Sequence, residues 1–278
     1  MGALRGPRYV RGMTMTTPSR RPIGSMLREW RQRRRKSQLA LACEADISTR
    51  HLSFIETGRA QPSREMVLHL AEQLEVPLRD RNVLLTAAGF APSFSARSLD
   101  DPSLAAARGA VDWILTAHEP YPALALDAHW NQLASNRAVP PLLAGVNAAL
   151  LKPPVNVMRL TLHPDGLAPR IANLAEWRAH LLARLQRQID ATADPLLIDL
   201  MAELRSFPTP IGAGKVGADA LEHARVAVPF KLVTERGLLS FMSTTTVFGT
   251  PVDITLAELA LESFFPADAL TAETLRRT

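Results

Sequence analysis

Several kinds of residue and segment are scarce in this chain of 278 residues, and each scarcity excludes a class of protein. The single cysteine, Cys43, excludes an internal disulfide and any metal site built from several cysteines. It lies in an apolar helical stretch, so we expect a small core residue rather than a reactive thiol. No apolar run approaches the roughly 18 residues that a membrane span needs. Residues 1–21 lack the apolar stretch of a signal peptide, and we interpret them as the disordered tail of a cytoplasmic protein.

Patterns that carry catalysis or bind metals are also lacking. Gly212–Gly217 matches the spacing G-x-G-x-x-G, but Pro208 and Pro210 precede it where a nucleotide-binding unit needs a strand, so we interpret it as a loop. The histidines are scattered without the spacing of a metal site. No strained serine turn or triad pattern is present. The sequence therefore predicts no catalytic residue, no cofactor and no metal ion. An enzyme remains the alternative, and it would need a cluster of ionisable groups in the second half of the chain.

Charge is distributed unevenly along the chain. Residues 1–96 contain 16 Lys+Arg and 8 Asp+Glu, whereas residues 97–278 contain 16 and 19. The net charge of +5 therefore comes entirely from the first third of the chain. A basic segment is the electrostatic footprint of a nucleic-acid-binding module, although a solvated basic surface gives the same count. At 47% hydrophobic residues, the chain can also bury a substantial core.

The stretch from Ser37 to Ser63 has the layout of two short helices and a tight turn, followed by a loop that opens a third helix. Ser37, Ser48 and Ser63 stand where helix N-caps are favoured, and Gly58 stands where a helix ends. With one helix before this stretch and one after it, the pattern predicts five helices within residues 22–91.

The helix that follows Ser48 has two unlike faces. Apolar Ile47, Leu52 and Ile55 are spaced to bury one of them. The other carries hydrogen-bonding, aromatic and basic groups, namely Thr49, Arg50, Ser53 and Phe54. A short helix with this division suits insertion into the major groove of DNA.

The position of each side chain predicts its role on DNA. Thr49 and Arg50, at the exposed beginning of the helix, reach base edges, and arginine pairs with the two acceptors of guanine. Phe54 either meets a thymine methyl group or packs inside the domain. The predicted phosphate contacts, which position the helix, are Gln38, Ser53 and Arg59, and Gln38 also buttresses the helix. Ser48, which caps the helix, completes the predicted DNA-binding residues. A helical bundle without nucleic acid is the alternative.

The second half of the chain shows a different pattern of predicted elements. Residues 92–102 have the composition of a linker, and residues 103–278 form an α+β domain with an antiparallel sheet of about five strands. The predicted strands are Ala123–Leu126, Trp130–Ala134, Val155–Leu162, Val226–Thr234 and Leu238–Phe248. The predicted helices are Ser103–Ala117, Asn136–Gly145, Ile171–Asp190, Pro195–Arg205 and Thr255–Ser263. Arg184 is expected on a solvated helix face.

Residues 22–89 resemble the Cro/C1-type (Xre-family) helix-turn-helix domain. The residues that carry this resemblance are Ser37-Gln38, Leu41-Ala42, Ile47-Ser48, Ile55-Glu56, Gly58 and Pro62-Ser63. Within that family the chain is similar to the MmyB-like regulators, whose second domain is a PAS-type ligand-binding domain. The matching runs there are Pro122–Ala138, Arg159–Gly166 and Phe241–Asp268.

The resemblance implies a bacterial transcription regulator that binds double-stranded DNA, with no membrane segment. It also implies a homodimer and a small-molecule effector, and relatives suggest a fatty-acid-like one. Trp130, Phe230 and Phe241 lie on or near the predicted strands and are the candidate ligand-binding residues. Two readings stay open: a sensor of a small apolar or acyl-type ligand, or a constitutive regulator whose PAS-like domain is a filled dimerisation module.

Overall fold

The fold is that of a computed structural model, which describes residues 21–208 and 228–277. The predicted tail, apart from Arg21, and the predicted loop at Gly212–Gly217 lie outside the described residues. The chain separates into two compact units. The first contains residues up to Glu75 together with Val83–Ala91, and the second contains Val76–Asn82 and the chain from Pro92 onward.

The first part of the chain is helical. Its helices are α1 (Ile23–Arg33), α2 (Gln38–Glu44), α3 (Thr49–Glu56), α4 (Arg64–Gln73) and α5 (Leu78–Ala87). The three predicted serine caps are confirmed, because each hydroxyl accepts a hydrogen bond from the backbone N–H three residues later, at 3.0–3.2 Å. Gly58 closes α3 with φ of 74°, a left-handed conformation that costs glycine little.

The core of this part is made of leucines and isoleucines, among them Leu52 and Ile55 of α3, whose side chains are fully buried. Ile47 is only partly buried. The expectation for Cys43 was wrong, because its side chain is exposed. Helix α2 turns Leu41 and Ala42 inward, so the next residue on the helix points away from the core.

Helix α1 approaches the end of α3 very closely. Gly24 lies so near the α3 backbone that a Cβ atom there would stand 2.2 Å from the carbonyl oxygen of Ile55 and 2.7 Å from that of Glu56. Any other residue at this position would force the two helices apart. Glycine therefore sets the distance between the first helix and the helix predicted to read DNA.

The second unit is α+β. Its helices are α6 (Ala105–Ala117), α7 (Val157–Leu162), α8 (Leu174–Thr192), α9 (Pro195–Ser206), α10 (Ile254–Glu258) and α11 (Ala269–Arg276). Its strands are β1 (Ala123–Leu126), β2 (Gln132–Ser135), β3 (Phe230–Thr234), β4 (Gly237–Val247) and β5 (Ala260–Pro266). They form one antiparallel sheet in the order β2-β1-β5-β4-β3.

The two faces of this sheet bury different clusters. Ala123 and Ala125 of β1 and Leu261 of β5 pack with Val111 and Leu115 of α6 on one face. The larger core lies on the other face, where Leu124, Leu126, Phe230, Leu232 and Phe241 meet side chains of α7, α8 and α9. Because side chains alternate along a strand, β1 and β5 contribute to both clusters.

Three predicted elements were wrong. Val155–Leu162 is not a strand, because the Asn156 side chain accepts a hydrogen bond from the Arg159 N–H at 3.1 Å and so caps helix α7. Asn136–Gly145 is largely irregular and contains only a 3-10 helix at Pro140–Leu143, since the two prolines lack the N–H groups of a longer helix. Thr255–Ser263 divides into the short α10 and the beginning of β5, the strand between β1 and β4. The sheet has five strands, but β5 replaces the one expected at Val155–Leu162.

Candidate functional site

Helix α3 presents the predicted DNA-contacting face to solvent. Its buried residues are Leu52, Ile55 and Glu56. Ser48, Arg50 and Arg59 are exposed, whereas Thr49, Ser53 and Phe54 are partly buried. Because the Ser48 hydroxyl fixes where the helix begins, Thr49 and Arg50 lie in its first turn. The structure thus brings six of the seven predicted contacts together around one exposed helix.

Two arginines share the ring of Phe54. The guanidinium carbon of Arg50 lies 5.3 Å from the ring centroid, and that of Arg59 lies 6.0 Å from it. Neither arginine forms an ion pair with a carboxylate in the described parts of the chain. A cation over an aromatic face keeps its charge and its donors while losing some of its mobility. Phe54 is therefore neither buried in the core nor free, and it holds two cations on the surface.

Gln38, the seventh predicted residue, faces the end of α3. Its Nε2 atom donates to Oε2 of Glu56 at 2.8 Å. The same carboxylate receives the Arg31 guanidinium, with Nε to Oε1 at 2.6 Å and Nη2 to Oε2 at 2.9 Å. The Glu56 side chain is only 2% exposed, so this is a buried ion pair. Gln38 thus contacts the end of α3, and one N–H of its amide remains for another acceptor.

The second unit contains a cavity of about 100 Å³ between the sheet and the helices that cover it. All three candidate ligand-binding residues, Trp130, Phe230 and Phe241, line it. Most of the other lining residues are apolar and include Leu124, Leu126, Met158, Leu181 and Phe264. On the same measure a water molecule needs about 10–15 Å³, so the cavity has room for several waters or a small ligand.

One ion pair interrupts the apolar wall. Arg184 donates to both carboxylate oxygens of Glu262, from Nη1 and Nη2, each at 2.8 Å, and to the Thr245 hydroxyl at 2.6 Å. The expectation of a solvated Arg184 was wrong, because only 21% of its side chain is exposed. Sequence reasoning missed this pair, since its residues stand 78 positions apart and Glu262 belongs to a strand that was predicted as helix.

Two side chains contact the ring of Trp130. Its Nε1 donates to Oε1 of Gln188 at 2.8 Å, and the Arg184 guanidinium carbon lies 4.5 Å from its ring centroid. Its backbone has φ of 67°, which is uncommon for any residue other than glycine. The arrangement fixes the ring as one wall of the cavity.

A second tryptophan in the wall carries a buried polar atom. Among the described residues, Nε1 of Trp177 has no hydrogen-bond partner. Its ring stacks on His180 at 5.2 Å between centroids. The pKa of His180 is lowered by burial first, and then by the nearby charges of Arg184 and Arg187. His180 is therefore neutral at pH 7 and adds no positive charge near this wall of the cavity.

In residues 21–208 and 228–277, no group of three or more His, Cys, Asp or Glu side chains is arranged to hold a metal ion. Within the same ranges, no helix is both long and apolar enough to cross a bilayer.

Comparison with known proteins matches both units to families. Residues 107–277 match the MmyB-like transcription regulator ligand binding domain. Residues 22–84 match a helix-turn-helix domain. No curated protein matches the chain.

Proposed function

We propose a specific role for each of the two sites of this chain, which belongs to the family of MmyB-like transcription regulators. The chain is a helix-turn-helix regulator with a ligand-binding domain. Two copies bind the two halves of a symmetric DNA site through α3, in the cytoplasm. A small apolar or acyl-type molecule in the cavity controls that binding. The observation that carries the DNA part is the pair of exposed guanidinium groups of Arg50 and Arg59, which lie against Phe54 of α3 and form no ion pair within the described residues.

The geometry supports a division of roles among the α3 residues. Arg50 and Thr49, in the first turn, contact base edges, and arginine suits the acceptors of guanine. Arg59 follows the end of the helix, where it meets a phosphate. Ser48, Ser53 and Gln38 supply further phosphate donors. Phe54 holds both arginines, and its exposed edge is left for a thymine methyl group.

The experiment first selects bound duplexes from a random DNA pool and then compares variants on the selected duplex and on a random one. Arg50→Ala should weaken specific binding by about 1–3 kcal/mol and barely change binding to random DNA. Arg59→Ala should weaken both equally and reduce the slope of log affinity against log salt by about 1. The exposed Arg276 of α11 is the matched control, and Arg276→Ala should change neither. If Arg50→Ala weakens binding to both duplexes equally, Arg50 contacts a phosphate and not a base.

The cavity supports the ligand part of the proposal. An apolar wall with one buried ion pair suits a molecule with an apolar body and a polar end near Arg184 and Glu262. Its present volume suits a small molecule, and a long acyl chain requires the walls to move apart. Native mass spectrometry of the full chain purified from cells, followed by lipid extraction, tests this directly. An added mass that disappears after Leu181→Trp, a substitution that fills the cavity, supports a ligand bound there.

The constitutive regulator is the second candidate, and the small volume of the cavity is the observation that favours it. It predicts no added mass and the same DNA affinity for the full chain before and after lipid extraction. Leu181→Trp would then leave DNA binding unchanged. A change in DNA affinity on extraction that this variant abolishes rejects the constitutive reading.

A further inference from the structure

Helix α6 buries only part of its apolar surface. Val111 and Leu115 face the sheet and are buried. Trp113 is 79% exposed and Ile114 is 40% exposed. An exposed tryptophan of this degree is unusual on a surface with no partner, because its ring is a large apolar area.

Six apolar residues of α6 form one stripe. At 3.6 residues per turn they fall within a sector of about 120° that contains no polar side chain. The stripe consists of the exposed Ala106, Trp113, Ile114 and Ala117 and the partly buried Ala107 and Ala110. The charged residues of the helix, Arg108 and Asp112, lie on the far side, so two such stripes meet without facing like charges.

The stripe is complementary to itself in shape. If two copies of α6 cross antiparallel about a two-fold axis at Ala110, the large Trp113 and Ile114 of one copy face the small Ala107 and Ala106 of the other. Small residues at the crossing point allow the helices to approach closely. A two-fold axis also makes each such contact occur twice.

We infer that the α6 stripe is the interface with a second copy of this chain, formed around a two-fold axis near Ala110. The inference rests on the proposed function, since two-fold DNA recognition needs a two-fold protein. With about 150–250 Å² for a tryptophan, the two Trp113 side chains and the surface they cover bury roughly 700 Å², which is less than the roughly 1,000 Å² that a stable interface buries. The dimer is therefore weak in free solution and is reinforced when both copies hold DNA.

The position of α6 connects this interface to the cavity. The helix packs on Ala123 and Ala125, and the residue between them, Leu124, lines the cavity on the opposite face of β1. His118, which caps the end of α6, has its Nε2 atom 3.0 Å from the carbonyl oxygen of Phe264, whose ring also lines the cavity. A change in cavity occupancy therefore acts on the same strands that support the interface.

Sedimentation equilibrium of the full chain over a concentration series tests the interface. Trp113→Arg should raise the dimer dissociation constant at least about 30-fold, because a central tryptophan carries much of an interface's energy. Val252→Arg is the matched control, since Val252 is 83% exposed and lies outside the stripe, and it should leave the constant unchanged. A wild-type chain that stays monomeric, or equal behaviour of the two variants, overturns the inference. So does a Trp113→Arg variant that alters thermal stability but not mass, which would mean that the stripe is covered within its own chain.

Cysteine cross-linking gives an independent test that needs no loss of fold. In a Cys43→Ser background, Ala110→Cys lies at the axis and should form an intermolecular disulfide on mild oxidation. Asp112→Cys, on the charged side of the same helix, should not. Equal cross-linking of both variants rejects the proposed axis.

Failure of the interface differs from failure of the proposed function. If the interface is right, the Trp113→Arg variant still binds a single selected half-site in an Arg50-dependent way. It loses only the additional affinity that the second half-site provides. If the variant stays dimeric and binds the full site as the wild type does, the interface is wrong and the function stands. A Cys43→Ser, Ala110→Cys chain that forms the cross-link but selects no DNA sequence leaves the interface standing and rejects the function.

Discussion

We expect Gly24→Ala to destabilise the protein, whereas glycine-to-alanine substitution within a helix usually stabilises it. Replacing glycine by alanine within a helix normally stabilises a protein by up to about 1 kcal/mol. At Gly24 the new Cβ would lie 2.2 Å from the Ile55 carbonyl oxygen and 2.9 Å from the Glu56 carbonyl carbon. Both are backbone atoms, so no side-chain rotation relieves the overlap. Helix α1 must move away from α3 by about 1 Å, enough to lose a quarter to a half of the dispersion attraction of the separated atoms.

The cost of such overpacking is about 1–3 kcal/mol, which exceeds the gain in helix propensity. We expect Gly24→Ala to lower the Tm of the first unit by roughly 5–15 °C, from about 4–8 °C per kcal/mol for a domain of this size. Calorimetry of the full chain gives the Tm. Hydrogen exchange over residues 22–60 should show faster exchange of the α3 amides.

Gly109 of α6 provides the matched control, because a Cβ there meets nothing within 4 Å. Gly109→Ala should therefore raise the Tm of the second unit by about 2–4 °C, at the same protein concentration. If Gly24→Ala stabilises its unit as Gly109→Ala does, the close approach of α1 and α3 does not exist in solution. The same result would remove the argument that Gly24 sets the position of α3.

Two further predictions concern buried polar groups. Glu56→Ala should destabilise the first unit by about 3–5 kcal/mol in urea unfolding, because it leaves the Arg31 cation buried without its partner. The double variant Arg31→Met with Glu56→Leu should recover most of that loss, and a loss equal to the sum of the single effects would contradict the assignment of a buried pair. His180 has a lowered pKa in the folded chain, so the unfolded chain binds its proton more readily. The stability contributed by neutral His180 is present above its unfolded pKa of about 6.5 and is lost as pH falls below that value. His180→Gln should flatten the decline of the Tm of the second unit between pH 7.5 and 5.5, and an unchanged decline would assign it to other groups.

The first unit was predictable because its signals are local. A serine cap and the N–H it accepts from are three residues apart, so Ser37, Ser48 and Ser63 could be placed from the sequence alone. The exposed face of α3 follows from helix periodicity in the same way. The partner of Arg31 could not be found, since Glu56 is 25 positions away and the pair forms only when α1 packs on α3.

The second unit was harder because its signals are long-range. Alternation in Val155–Leu162 gives the same pattern for a strand as for this short helix, whose Met158, Leu160 and Leu162 are all buried. Strand β5 was missed because it is central, with buried residues on both faces, and a continuous buried run has no alternation. The three aromatic cavity residues were found because large apolar groups near strands point to the core of a sheet. Arg184 was not, because its burial depends on Glu262 and Thr245 from two distant strands.

The placement of the cavity and α6 on opposite faces of β1 and β5 limits how a ligand can act on DNA binding. A ligand shifts the monomer–dimer equilibrium only if it binds the two states with different affinity. The coupling is reciprocal, so a ligand that strengthens the dimer tenfold must itself bind the dimer more tightly by the same total factor. The ligand affinity of Trp113→Arg, which stays monomeric under the inferred interface, should therefore equal that of the wild-type monomer at high dilution. At concentrations where the wild type dimerises, its ligand affinity should differ from the affinity of the monomer. A wild-type affinity that is independent of concentration would place the control of DNA binding outside the α6 interface.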